Sequence, residues 1–168
     1  MIYIYQMAVF GAGFGVLALL ICLVWKLNLK WSLYVILFAA YIGALLAFAF
    51  FHGVLQEYEY NLIPFITVFK TGAKIRHIVQ MLVNIAMFIP FGVFLNLAGT
   101  DKRKSVLTGL IMSLGIEAFQ LILMRGVFDV DDLIMNTVGT FAGFWLFEWI
   151  KRILSNKYFL ENDGEGLK

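Results

Sequence analysis

Long apolar runs separated by short polar segments dominate the chain. Five of these runs approach the roughly 20 residues that a helix needs to cross a bilayer at about 1.5 Å of rise per residue. They lie at about residues 7–25, 31–51, 78–97, 106–123 and 133–150. The pattern therefore predicts an all-α integral membrane protein, built as a bundle of about five transmembrane helices.

The connection between the second and third runs, residues 52–77, is too long for a tight turn. It contains a second apolar piece, residues 61–69, that is too short to span a bilayer and is interrupted by Pro64. Such pieces lie in the membrane interface or re-enter the membrane partway. We therefore expect a short interfacial or re-entrant segment between helices 2 and 3.

Composition agrees with a membrane location. Of the 168 residues, 62% are hydrophobic and only 14% are charged, and a soluble domain of this size would expose large apolar patches to water. The net charge of +2 is too small to indicate a nucleic-acid partner. We predict one transmembrane domain over residues 1–157, surrounded by membrane lipid, and a polar cytoplasmic tail over residues 158–168.

The basic residues predict the orientation, because short cytoplasmic segments are enriched in Lys and Arg. If the N-terminus lies outside, nine of the thirteen basic residues fall on the cytoplasmic side: Lys26, Lys30, Lys102, Arg103, Lys104, Lys151, Arg152, Lys157 and Lys168. The other four fall outside: Lys70, Lys74, Arg76 and Arg125. We therefore predict an outside N-terminus and a cytoplasmic C-terminus.

Glu117 stands inside the fourth apolar run, where a charged side chain costs about 2.5–3.5 kcal/mol at the bilayer centre. Gln120 follows about one turn later on the same side, and Asn84 of the third run is expected in the same outer layer. Since intramembrane ionisable groups are often functional, Glu117 is a candidate ligand-binding residue and the candidate catalytic acid or base. The structural alternatives are a protonated Glu117 bonded to a neighbour and an ion pair with Arg125.

Three further polar residues follow at spacings of three and four: Asp129, Asp132 and Asn136. If the fifth helix begins near Asp129, all three share one face, and helix capping explains one Asp but hardly all of them. Converging oxygens suit Mg²⁺ or Ca²⁺, so a divalent cation is a candidate cofactor with Asp129 and Asp132 as candidate ligands. Without a metal, the acidic site would receive an amine or a hydroxyl-rich headgroup, and Arg125 would hold a carboxylate or phosphate.

Several different polar motifs follow one another over residues 61–143, about half of the chain. They are Asn61-Leu-Ile-Pro-Phe65, Asn84 with Phe88-Ile-Pro-Phe-Gly92, Glu117-Ala-Phe-Gln120, the segment from Arg125 to Asp132, and Asn136-Thr-Val-Gly139. In order and spacing this set resembles the VanZ-like family, with residues 61–143 as the VanZ-like core. The resemblance implies a bacterial plasma-membrane protein associated with reduced sensitivity to glycopeptide or lipoglycopeptide antibiotics such as teicoplanin.

The resemblance also implies a signature of eight residues, without catalytic roles: Asn61, Asn84, Glu117, Gln120, Arg125, Asp129, Asp132 and Asn136. We expect these residues to line an outward-facing polar pocket that binds or modifies a lipid-linked molecule of the cell envelope. The candidate partners are a lipid-linked cell-wall precursor and a lipoglycopeptide. The alternative hypotheses are a metal-assisted membrane enzyme acting on a lipid-linked phosphate substrate, and a structural helix partner in a membrane complex.

Overall fold

Five long helices form most of the part of the chain that the structure describes. The computed structural model describes residues 2–51, 60–66, 69, 75–124 and 127–165, with side chains described from residue 4 to residue 156 of those ranges. The helices are α1 (Ile2–Val24), α2 (Leu29–Phe51), α3 (Ile75–Leu97), α4 (Lys102–Ile122) and α5 (Val130–Glu165). Each contains a stretch long and apolar enough to cross a membrane, which confirms the predicted all-α membrane protein with five transmembrane helices.

Each helix begins before its predicted apolar run, and in α2 to α5 the first turn contains charged residues. At the start of α4, the Asp101 carboxylate accepts the backbone N–H of Lys104 at 2.9 Å, which is the usual role of a helix N-cap. This hydrogen bond holds the pKa of Asp101 below its ordinary value. Helix α5 continues to Glu165, well beyond the predicted end of the fifth apolar run near residue 150.

Two short strands, which the apolar pattern did not predict, join distant parts of the chain. Strand β1 (Tyr60–Asn61) pairs in parallel with β2 (Phe128–Asp129), so that Asn61 lies opposite Asp129. Of the predicted interfacial segment, residues 52–59, 67–68 and 70–74 lie outside the described residues. Its interfacial or re-entrant placement stays a prediction.

The described chain divides into two compact units, and the first comprises residues 1–62 and 115–129. Helix α1 packs along α2, with the rings of Phe10 and Phe51 5.1 Å apart. The last turns of α4 also contact α2, where the Phe50 and Phe119 rings lie 6.4 Å apart. This unit therefore brings the end of α4 beside the end of α2.

The second unit comprises residues 63–114 and 130–168, and α3 packs against α5 in it. Glycines set the spacing: the positions that a Cβ would take at Gly139 and Gly143 overlap the carbonyl oxygens of Ile85 and Ile89. In glycine a hydrogen occupies that position, so Cα–H groups of α5 point at carbonyl oxygens of α3. Such close approach of small residues is typical of helix pairs in membranes, where apolar burial between helices supplies little driving force.

Large apolar side chains lie on the surface of both units. Examples are Val24, Leu82 and Ile111, each more than half exposed. In water these side chains would form the large patches that soluble proteins rarely tolerate. Their position along spanning helices is consistent with contact with membrane lipid.

Candidate functional site

In the first unit, a buried carboxylate lies near the end of α4. Glu117 is only 2% exposed, and its Oε2 atom accepts the backbone N–H of Asp129 at 3.1 Å. The carboxylate therefore ties the last turns of α4 to β2, the strand that leads into α5. Burial of this kind is expensive unless the group is hydrogen-bonded, and the bond from Asp129 supplies one such partner.

Asn61 completes this cluster from the other strand. Its Nδ2 atom donates to both carboxylate oxygens of Asp129, at 3.2 Å and 3.3 Å. The strand register causes this contact, because β1 and β2 pair with Asn61 opposite Asp129. Two predicted site residues that are 68 positions apart in the sequence are thus in direct contact.

Gln120 anchors the same stretch of α4 to α2. Its Nε2 atom donates to the backbone carbonyl of Ala49 at 2.8 Å. Glu117 and Gln120 therefore both bond to protein groups within the first unit. We refer to Asn61, Glu117, Gln120 and Asp129 as the Glu117 cluster.

In the second unit, polar side chains of three helices make two contacts. The Nδ2 atom of Asn84 in α3 donates to Oδ1 of Asp132 in α5 at 2.6 Å. One turn further along α5, the Nδ2 atom of buried Asn136 donates to Oγ of Ser113 in α4 at 2.8 Å. We refer to Asn84, Ser113, Asp132 and Asn136 as the Asp132 cluster.

Asp131, which sequence reasoning did not single out, holds the turn at Pro64. Its Oδ1 atom accepts the backbone N–H of Phe65 at 2.7 Å, and Asp131 is 4% exposed. Phe65 has a φ of 60°, in the left-handed region that non-glycine residues rarely adopt. The hydrogen bond offsets part of that strain, so Asp131 positions the turn that contains Pro64.

Seven of the eight predicted site residues belong to these two clusters, and Arg125 lies outside the described residues. Helix α5 begins at Val130, one residue after Asp129, which belongs to β2. Asp129, Asp132 and Asn136 therefore do not share one helix face as expected, and the described bonds give each a different partner. Among the described residues no group of three or more His, Cys, Asp or Glu side chains could hold a metal ion.

The chemistry of both clusters favours ligands that donate hydrogen bonds. An ionised carboxylate is only an acceptor, and the clusters contain three carboxyl side chains: Glu117, Asp129 and Asp132. Amide groups of the protein donate to all three, and these bonds help to fix the orientation of the oxygens. Hydroxyl-rich and amine-bearing molecules would complement such groups.

Comparison with known proteins identifies a family and a relative. The family model described as VanZ/LLP1 matches residues 16–151. Protein VanZ of Enterococcus faecium is 34% identical to this chain over 119 residues, which are 68% of this chain and 68% of the relative. No solved structure matches the chain.

Proposed function

Because this multi-pass membrane protein belongs to the VanZ family, we propose that it lowers bacterial sensitivity to glycopeptide or lipoglycopeptide antibiotics such as teicoplanin. In this proposal the protein lies in the bacterial plasma membrane and binds or modifies a lipid-linked molecule of the cell envelope. The Glu117 cluster and the Asp132 cluster are each, taken separately, candidates for contact with this molecule.

The burial of Glu117 is the observation that carries the proposal. A carboxylate that is 2% exposed within an apolar spanning helix is costly to retain for packing alone, since an apolar residue would fill the space without desolvating a charge. Its bond to the backbone of Asp129 fixes the geometry of the carboxyl group. Preorganised polar groups of this kind are typical of binding sites.

The convergence of motif segments adds independent support. The bond between Asn61 and Asp129 joins segments 68 residues apart, and the bond between Asn84 and Asp132 joins segments 48 residues apart. With an outside N-terminus, the connection between α4 and α5 faces the cell envelope. A lipid-linked precursor or a lipoglycopeptide would bring hydroxyl and amine donors to these acceptors from that side.

Susceptibility to teicoplanin tests the proposal. We expect bacteria that express the unmodified chain to tolerate more teicoplanin than bacteria with an empty vector, and Glu117→Gln or Asp132→Asn to return tolerance to the vector level. Both substitutions keep side-chain size and an oxygen that can accept the existing hydrogen bond, so they remove negative charge with little change in packing. The measurement is the minimal inhibitory concentration at matched membrane levels of protein.

Asp101→Asn is the matched control. It makes the same carboxylate-to-amide change at the start of α4, where Asp101 caps the helix through an oxygen that Asn retains, and it should leave protection intact. If Glu117→Gln and Asp132→Asn protect as well as the unmodified chain, both clusters are scaffold. If the unmodified chain gives no protection, the proposed function is wrong for this protein.

A further inference from the structure

A third group of polar side chains lies in the second unit, far along α3 from Asn84. Asn96 is 5% exposed, and its Nδ2 atom donates to the Phe144 carbonyl at 3.1 Å and to Glu148 Oε1 at 2.8 Å. The Lys151 ammonium donates to Asn96 Oδ1 at 2.8 Å and forms an ion pair with Glu148 at 2.5 Å. Glu148 and Lys151 lie three residues apart on α5, and Asn96 is a hydrogen-bond partner of both.

These contacts fix the position of the Lys151 ammonium group. An ammonium group has three N–H donors, and the bonds to Asn96 and Glu148 use two of them. The side chain remains 47% exposed. The Lys151 ammonium group is therefore positioned by the protein and can still donate a hydrogen bond to an external ligand.

A second cation, Lys102 of α4, lies close to two tryptophans on the neighbouring part of α5. The Lys102 ammonium of α4 lies 5.7 Å from the ring centroid of Trp145. Trp145, Trp149 and Arg152 follow at spacings of four and three, so they share one face of α5. Trp145 and Trp149 are 40% and 60% exposed, and this face is therefore both aromatic and basic.

Positive charge exceeds negative charge at this place. The two acidic residues here, Asp101 and Glu148, each pair with a lysine, Lys104 and Lys151 respectively. Within the part of the chain that the structure describes, Lys102, Arg103 and Arg152 form no ion pair. The basic–aromatic surface, as we call it, consists of Lys102, Arg103, Trp145, Trp149, Lys151 and Arg152.

We propose that the basic–aromatic surface binds the phosphate headgroup of an anionic phospholipid, with its basic side chains at the phosphate and the two tryptophans beside the glycerol region. Exposed tryptophans prefer the membrane–water interface, and clustered Lys and Arg at helix ends attract anionic headgroups. The surface is separate from the Asp132 cluster: Asn84 and Asn96 are 12 residues apart on α3, or about 18 Å at the helical rise. The inference does not depend on the proposed function.

Quenching of tryptophan fluorescence by brominated lipids tests this inference. The chain has four tryptophans, and Trp25→Phe with Trp31→Phe leaves only those of the surface. In vesicles at low salt, brominated phosphatidylglycerol should quench Trp145 and Trp149 more than brominated phosphatidylcholine does, and high salt should reduce the difference. Arg103→Gln with Arg152→Gln should weaken the preference for phosphatidylglycerol by about fivefold for each charge removed.

The matched control is Lys26→Gln with Lys30→Gln in the same background, which removes two charges from the segment between α1 and α2 and should leave the preference unchanged. The side chains of Arg103 and Arg152 have no described hydrogen bond or ion pair, so their replacement should not disturb folding, which circular dichroism checks. If the Arg103 and Arg152 variant misfolds, the test is the comparison of low and high salt in the protein that carries only Trp25→Phe and Trp31→Phe. The inference is wrong if both brominated lipids quench that protein equally at low salt. It is also wrong if the Lys26 and Lys30 control loses as much of the preference for phosphatidylglycerol as the Arg103 and Arg152 variant does.

Discussion

Replacing Asn84 by Asp is expected to destabilise the fold by about 3 kcal/mol, since it removes a donor to a charged partner and leaves two acceptors face to face. In the native structure, Asn84 Nδ2 donates to Asp132 Oδ1 at 2.6 Å. With Asp at both positions, two carboxylates would meet at hydrogen-bond distance between α3 and α5. The measurement is the temperature at which half of the detergent-solubilised protein is lost from the monodisperse peak in size-exclusion chromatography.

The exchanged pair provides the control. Asn84→Asp combined with Asp132→Asn restores one amide donor and one carboxylate acceptor, with their helices exchanged, and should recover most of the lost thermal stability. Since the two positions are in direct contact, their effects should be strongly non-additive. A double variant no more stable than Asn84→Asp alone would show that this hydrogen bond does not account for the loss.

The exchanged pair also separates folding from function. It keeps the charge count of the Asp132 cluster but moves the carboxylate from α5 to α3. If teicoplanin protection needs a carboxylate at position 132 itself, the exchanged protein folds and does not protect. That combination of results would support a binding role for Asp132 rather than a purely structural one.

The helices could be predicted from the sequence, whereas the partners of most polar side chains could not. The bilayer offers backbone groups no hydrogen-bond partner outside the helix, and about 20 apolar residues are needed to cross it. A run of that length can be recognised in a single sequence. The ion pair of Glu148 and Lys151 was predictable for a similar reason, since residues three apart are neighbours on a helix. Asn96, which lies across the helix interface from Glu148, has no comparable signal in the sequence.

The Glu117 cluster shows why the remaining contacts were hidden. The contact of Asn61 with Asp129 depends on the register of two strands of two residues each, which are too short to show the alternation that marks a strand. Asp129 belongs to the strand β2 and not to α5. The helix face predicted to carry Asp129, Asp132 and Asn136 therefore does not include Asp129. Asp131 looks like an ordinary first-turn acid, and only the folded chain shows its bond to the turn at Phe65.

Gly143→Ala is expected to destabilise the protein by about 1–3 kcal/mol, the usual effect of overpacking a close contact. The new Cβ would overlap the carbonyl oxygen of Ile89 and lie 2.8 Å from its carbonyl carbon. These are backbone atoms of α3, which cannot rotate away as a side chain can, so α3 and α5 would have to separate. Separation would also weaken the contacts that Asn84 and Asn96 make with α5.

Gly115→Ala makes the same change inside α4, where nothing lies within 4 Å of the added methyl group. Because Ala favours a helix over Gly by about 1 kcal/mol, this variant should be unchanged or more stable. The two substitutions should therefore shift the thermal midpoint in opposite directions in the same size-exclusion assay. If Gly143→Ala is as stable as Gly115→Ala, α3 and α5 are not in the close contact described. The glycines of α5 would then affect only the conformational freedom of its own backbone.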